Sequence, residues 1–226
     1  MIIGRGLIAN IFKDINKEDI IFFASGVSNS LETDANQFRR ERDLIEKTIE
    51  ENPTKKFVYF STCSIYDSSK YASAYVLHKL DMENLIEKIA QNFLICRVSN
   101  AVGNGGNSNL LINYLVNNIK ENNPILVHQK ATRNLIDVED IGNITLRLLD
   151  EKINTIQNIA YIENFSVLEI VFALEKYLSK SAIIKLLNKG ESYTIDTSYI
   201  VDYFKKNNKM IKMEYLNTLL KRYYTI

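Results

Sequence analysis

Met1-Ile2-Ile3-Gly4-Arg5-Gly6-Leu7-Ile8-Ala9 opens the chain and decides its fold. Met1 to Ile3 read as a short apolar strand, Gly4 to Ala9 as a G-x-G-x-x-A turn, and Leu7 onward as an apolar helix start. The glycines permit a tight turn and let backbone approach a pyrophosphate closely. The small third residue lets helix pack on strand, and the helix N-terminus faces the anion. The motif gains weight from its order, with strand before and helix after.

Working outward, strand-like and helical runs alternate. Strands are expected at 1–3, 19–23, 56–60 and 93–97, and helices at 7–12, 36–51 and 71–90. This alternation predicts an α/β fold with right-handed crossovers and a parallel sheet. Further on, a three-four spacing predicts a helix over 110–121, then strands at 124–127 and 134–136 and a helix over 138–149. A strand at 155–160, an amphipathic helix over 166–178 capped by Ser166, and a last helix over 213–224 complete the pattern. Asn104-Gly105-Gly106-Asn107 reads as a loop.

A second motif lies on the expected third helix. Tyr75-Val76-Leu77-His78-Lys79 is Y-x-x-x-K, which places a phenol and an ammonium on one helix face. A phenol with a pKa of roughly 10 trades protons poorly near neutrality, and a nearby ammonium favours the phenolate. Thr62, at the end of the apolar run Phe57-Val58-Tyr59-Phe60-Ser61, offers a hydroxyl for a carbonyl or alcohol oxygen. The plainer reading of Tyr75 is an aromatic on a core-facing stripe. Arg5 reads either as a turn residue or as a holder of an adenosine 2′-phosphate, since guanidinium is always charged and bidentate. His78 reads as a packing or surface residue and His128 as a loop residue. With two histidines and no paired-cysteine spacing, no metal site is expected.

Composition sets the class. The 226 residues are 46% hydrophobic and 24% charged, with net charge +1, enough for one sizeable core. A near-neutral balance argues against nucleic acid and against a polybasic membrane patch. No apolar run reaches the ~20 residues that span a bilayer. A strand and glycine turn at the start are not a signal peptide. Cys63 and Cys96, without metal-ligand spacing, read as reduced thiols of a cytoplasmic protein.

Together these motifs resemble the extended short-chain dehydrogenase/reductases, the NAD(P)-dependent epimerase/dehydratase family acting on nucleotide sugars. Phe22-Phe23-Ala24-Ser25-Gly26 resembles the family's A-A-G loop beside the cofactor, and Phe57 to Tyr66 its F-V-Y-x-S-S-x-x-V-Y segment. Cys96 to Gly103 resembles its L-R-x-x-N-x-x-G segment, Arg133 to Asp140 its R-D-x-I-H-V-x-D segment, and Asp196 to Ser198 its D-x-S stretch before the last helix. The resemblance implies Thr62, Tyr75 and Lys79 as catalytic residues. It implies cofactor contacts at Gly4, Arg5, Gly6, Leu7, Ile8, Ala24, Ser25, Gly26, Ser61, Tyr75, Lys79 and Val98, and substrate contacts at Ser64, Asn100 and Arg133. It places Tyr66 beside the site, while Arg97 reads as a structural partner beneath the sheet.

The departures are informative. Only residues 10–19 separate the glycine motif from the next strand, where the family carries two further strands and a helix. The resemblance therefore implies a shortened Rossmann-type parallel sheet with helices on both faces, plus a small C-terminal substrate-binding region. Residues 1–103 would be the NAD(P)-binding part, and 104–226 would complete the sheet and form the substrate lobe. Within the family the chain resembles small bacterial dTDP-4-dehydro-6-deoxyglucose reductases of surface-polysaccharide and O-antigen pathways. Cys63-Ser64 lacks the acidic pair of the dehydratases, and Ser64 stands where the epimerising fucose synthases carry cysteine. The implied activity is NAD(P)H-dependent reduction of a 4-keto-6-deoxy nucleotide sugar, with NADP favoured over NAD. The alternatives are a 4-epimerase with bound NAD and an inactive nucleotide-binding relative. Relatives dimerise through two helices flanking the sheet, here 36–51 and 71–90, so a homodimer is expected.

Overall fold

The computed structural model describes residues 1–15, 17–105, 110–152 and 154–224. In chain order its first elements are β1 (Ile2–Ile3), α1 (Leu7–Ile11), β2 (Ile20–Phe23), α2 (Ala35–Glu51), β3 (Lys56–Thr62), α3 (Ala74–Ile89) and β4 (Phe93–Val98). Then come β5 (Asn100–Val102), α4 (Leu111–Glu121), β6 (Pro124–His128), β7 (Thr132–Arg133), β8 (Leu135–Asp137), α5 (Val138–Glu151) and β9 (Thr155–Ile159). The chain closes with β10 (Phe165–Ser166), α6 (Val167–Leu178), β11 (Ile183–Leu187), α7 (Val201–Lys206) and α8 (Lys212–Tyr223).

The main sheet is parallel throughout, in the order β1-β2-β3-β4-β9. Its strands are apolar on both sides, as a sheet covered by helices on both faces requires. Phe22, Val58, Phe60, Leu94 and Cys96 face one layer, shared with α4, α5 and α6. Ile21, Phe23, Phe57, Tyr59 and Ile95 face the other, against Ile45 and Ile49 of α2 and Met82 and Ile86 of α3. Burying one such side chain is worth about 1.5–3 kcal/mol. β1 pairs only with β2, so the glycine turn sits at the sheet edge, where the short span between Ala9 and β2 leaves no room for further strands.

Beyond β4 the chain builds a second cluster from three small pairings: β5 with β8, β6 with β11, and β7 with β10. Asp140, fully buried in the first turn of α5, ties the C-terminal helices to it. It accepts from Tyr203 OH at 2.7 Å and Tyr215 OH at 2.8 Å and pairs with Lys209. Tyr161 stacks on Tyr215, ring centroids 4.0 Å apart. The Ser166 cap of α6 is a full capping box with Glu169.

The differences from expectation are local. α3 begins at Ala74 rather than residue 71, because Ser73 caps it by accepting from Val76 N–H and a 3-10 turn over Ser68–Lys70 precedes it. β11 and α7 were not anticipated. β11 alternates weakly, because it joins the cluster through β6 alone, and α7 is too short for a helical period to show. Of the expected 104–107 loop, Gly106 and Asn107 lie outside the described residues.

Candidate active site

A cavity of about 610 Å³ opens over the C-terminal ends of the parallel strands, where open α/β sheets bind ligands. Arg5 to Ile8 line it from the β1–α1 turn, Ala24 to Leu31 from the loop after β2, and Ser61 to Ser64 from the end of β3. Tyr75 and Lys79 enter from α3, Val98 to Ala101 from the end of β4 and the start of β5, and Arg40, Lys70 and Tyr193 complete the wall. Gly4 stands behind this lining. Its φ of +132° is one that L side chains rarely adopt, and a Cβ there would overlap the Ala24 carbonyl. The first glycine thus lets the two strand-end loops close on each other. No side chain caps α1, whose first residues Leu7 and Ile8 line the cavity beside Gly6, where a Cβ would meet open space.

Thr62 and Tyr75 meet at the floor. Thr62 Oγ1 accepts from Ser64 N–H at 3.0 Å, which fixes the hydroxyl at the strand end. Burial pushes the Tyr75 phenol up to about 12, and the hydrogen bond from Thr62 opposes that rise. Burial therefore outweighs the lowering that the sequence led us to expect from Lys79. Lys79 Nζ stands over the Tyr75 ring, 6.0 Å from its centroid, and donates to Glu41 Oε1 at 2.9 Å and Tyr59 OH at 3.0 Å. Glu41 also accepts from Tyr59 OH at 2.6 Å and Val27 N–H at 2.6 Å, and bonds His78 Nε2 at 3.0 Å. Burial alone would raise the Glu41 carboxyl. The Lys79 ammonium and the bonds from His78, Tyr59 and Val27 outweigh it and hold the carboxyl far below the usual range. Burial in turn pulls Lys79 down, opposed by Glu41.

Gly26 fits this knot closely: a Cβ there would lie 2.6 Å from Lys79 Nζ and 2.7 Å from Glu41 Oε1. Arg40 reaches across to the same loop, donating to the Ser25 carbonyl at 3.0 Å. Ser99 Oγ is buried at the wall and has no hydrogen-bond partner among the described residues.

The remaining residues named from sequence fall in several places. Ser64 and Asn100 line the cavity, and Asn100 Nδ2 donates to the Asn134 carbonyl at 2.7 Å. Arg133 stands outside the lining, 3.9 Å from Asp67. Arg97 is bidentate to Glu83 of α3, its Nε at 3.0 and 3.1 Å. Tyr66 turns away to Asn158 at 2.9 Å and lines a separate cavity of about 160 Å³ with Asp196 and Tyr199. His78 is buried and stacks on Phe38, 4.6 Å between centroids. Cys63 and Cys96 are free and buried. Glu41, Tyr59, Arg40 and Tyr193 were not anticipated. Glu41 had a signal: it follows Phe38 by three and precedes Ile45 by four, a carboxylate in an apolar stripe.

Comparison with known proteins places this geometry. The model of the NAD dependent epimerase/dehydratase family matches residues 4–160. The chain belongs to that family, and is an enzyme of the NAD(P)-dependent oxidoreductase type. No curated protein matches the sequence. Among solved structures, RMD from Pseudomonas aeruginosa complexed with NADPH superposes with TM-score 0.73 at 16% identity, covering 92% of this chain and 83% of that one. UDP-glucuronic acid 4-epimerase from Bacillus cereus in complex with NAD gives 0.71 at 20% identity, over 96% and 76%. The Bordetella bronchiseptica enzyme WbmH in complex with NAD+ gives 0.68 at 18%, over 97% and 80%. At these identities the likeness is one of fold. Among the described residues, no helix is long and apolar enough to cross a membrane.

Proposed function

We propose that this family member reduces a 4-keto-6-deoxy nucleotide sugar, dTDP-linked by resemblance, with NADPH, and that it serves cytoplasmic synthesis of a surface polysaccharide. The observation that carries the reading is Thr62 and Tyr75 meeting in the lining of the cavity over the strand ends. Tyr75 has the Thr62 hydroxyl beside it and Lys79 one helical turn on, with Nζ over the Tyr75 ring 6.0 Å from its centroid. A phenol so placed can give its proton to the alkoxide that forms as hydride arrives.

The cavity residues fit a dinucleotide. The turn at Gly6 opens beside the uncapped first turn of α1, and Ser99 Oγ is a polar group that a carboxamide can satisfy. Gly6, Leu7 and Ile8 would hold the pyrophosphate through backbone N–H groups, and Arg5 a 2′-phosphate. Ala24, Ser25, Gly26, Ser61 and Val98 would form the trough. The cofactor, when bound, supplies the hydride. Thr62 holds the substrate oxygen, and Tyr75 delivers the proton to it. Ser64 and Asn100 would orient the sugar, and Arg133 would leave Asp67 to reach the diphosphate.

The test is incubation with NADPH or NADH and a panel of 4-keto nucleotide sugars, with product analysis. Stoichiometric consumption of reduced cofactor by a protein that purifies with little nucleotide supports the reading. Tightly held NAD, with interconversion of 4-hydroxyl epimers and no added cofactor, would replace it with a 4-epimerase.

A further inference from the structure

The cavity lining carries four cationic side chains, Arg5, Arg40, Lys70 and Lys79. Lys79 is engaged by Glu41 and Arg40 by the Ser25 carbonyl, while Arg5 is exposed at the β1 edge of the sheet. Lys70 is half-buried in the wall, yet its Nζ makes no hydrogen bond or ion pair among the described residues. Its backbone is fixed. The Lys70 amide donates to the Asp67 carbonyl at 2.8 Å, and the Lys70 carbonyl accepts from the amide of Ser73, the α3 cap, at 2.9 Å. An ammonium withdrawn from water without a partner is unfavourable. Burial accordingly pulls Lys70 below the usual lysine value, with Arg133 adding to the fall and Asp67 opposing it. The geometry points to Lys70 as a specificity-determining residue that donates to a phosphate oxygen of the substrate's nucleoside diphosphate.

The charges around it favour Lys70 over Arg133 for this contact. Arg133 stands outside the lining, 3.9 Å from Asp67, and its Nη1 donates to the Thr132 carbonyl at 2.7 Å. Asp67 is buried, so drawing Arg133 off would leave a buried carboxylate uncompensated. Lys70 has no such pair to break. Asp67 and Arg133 balance each other, so Lys70 brings the unbalanced positive charge to this part of the wall. Tyr193, also in the lining, feels Cys63 as well as Asp67 and Arg133, so the cluster adjoins the strand end that carries Thr62. The 4-keto-6-deoxy sugar of the proposed substrate is neutral, which leaves the diphosphate as its anionic group. A lysine ammonium binds phosphate as a point charge.

This inference rests on the nucleotide-sugar reading, and its test uses binding without turnover, so the two can fail separately. Calorimetry on the full chain measures dTDP, UDP, UDP-glucuronic acid and NADPH against the unaltered protein, Lys70→Met, Lys70→Gln and Lys70→Arg. Lys70→Met and Lys70→Gln, which remove the charge, should each weaken the nucleoside diphosphates about ten- to a hundredfold, the worth of one charged hydrogen bond. They should also flatten the salt dependence of the binding that remains and leave NADPH affinity unchanged. Lys70→Arg should keep most of the affinity, because charge and donor stay. Diphosphate affinities unmoved by loss of the charge, an equal loss for NADPH, or an unaltered protein that binds neither dTDP nor UDP would overturn the proposal. So would a loss confined to UDP-glucuronic acid, which would assign Lys70 to a sugar carboxylate instead. Binding of dTDP that depends on Lys70, in a protein that reduces no 4-keto sugar, would sink the reductase and leave the phosphate contact standing.

Discussion

The held proton of Tyr75 makes a quantitative prediction about pH. Burial pushes the phenol up to about 12, so the neutral form predominates at neutrality. The sign follows from the burial that raises the value: the neutral phenol is the favoured form, present below the midpoint and lost only as pH rises through it. In the reductive direction, where Tyr75 donates, kcat should show no alkaline limb between neutrality and about pH 10. In the oxidative direction, where the phenolate must accept, the rate should climb about tenfold per pH unit over the same range. The assay is steady-state oxidation of NADPH with a 4-keto nucleotide sugar, and its reversal with the product alcohol. Each is followed by reduced-nicotinamide absorbance at matched ionic strength. A reductive limb falling away near pH 7–8 would mean that Lys79, and not burial, governs Tyr75.

Other substitutions test separate links. Tyr75→Phe should cost about 10²–10⁴-fold in kcat while NADPH affinity, measured by fluorescence titration, survives, because only the proton is lost. Arg5→Ala should weaken NADPH by ~1.5–3 kcal/mol, the worth of a charged hydrogen bond, and leave NADH almost untouched; equal losses would reduce Arg5 to a turn residue. Lys79→Met leaves the buried Glu41 without its ammonium and should cost ~3–5 kcal/mol of stability by urea unfolding. Glu41 also sets an acid limit. Its pKa is lowered on folding, so its stabilisation is full above the ordinary carboxylate value of 4.5 and fades as pH falls below it, which acid unfolding of Glu41→Gln should reveal by a smaller dependence.

The legible parts of this chain are those whose physics is local. The first turn could be read from Gly4, Gly6 and Ala9, because the backbone conformations they allow are set within six residues. The helix face shared by Tyr75 and Lys79 follows from spacing alone. The boundaries that slipped were also local, but they were decided by competing hydrogen bonds. Ser73 takes the cap that a longer helical pattern would have placed earlier. Arg133 was named from its segment, yet which way its guanidinium points depends on Asp67, far away in sequence. β11 was missed because its pairing, not its composition, makes it a strand.

The Glu41 knot shows where this kind of reading stops. Tyr75 and Lys79 announce themselves as a pair, and a pair read alone predicts a lowered phenol pKa. The sign reverses because burial outweighs it, while a third group, separated from Lys79 by 38 positions, takes a hydrogen bond from the ammonium. Within α2 a carboxylate between Phe38 and Ile45 looks like a misplaced surface residue. It becomes intelligible only once β3, α3 and the loop after β2 each bring it a donor. The same packing that builds the helix layer over the sheet therefore sets the charge state of the site. The shortened edge at β1 leaves fewer elements around that end of the cavity. At that end Glu41 fastens the loop after β2, Lys79 and helix α2 together.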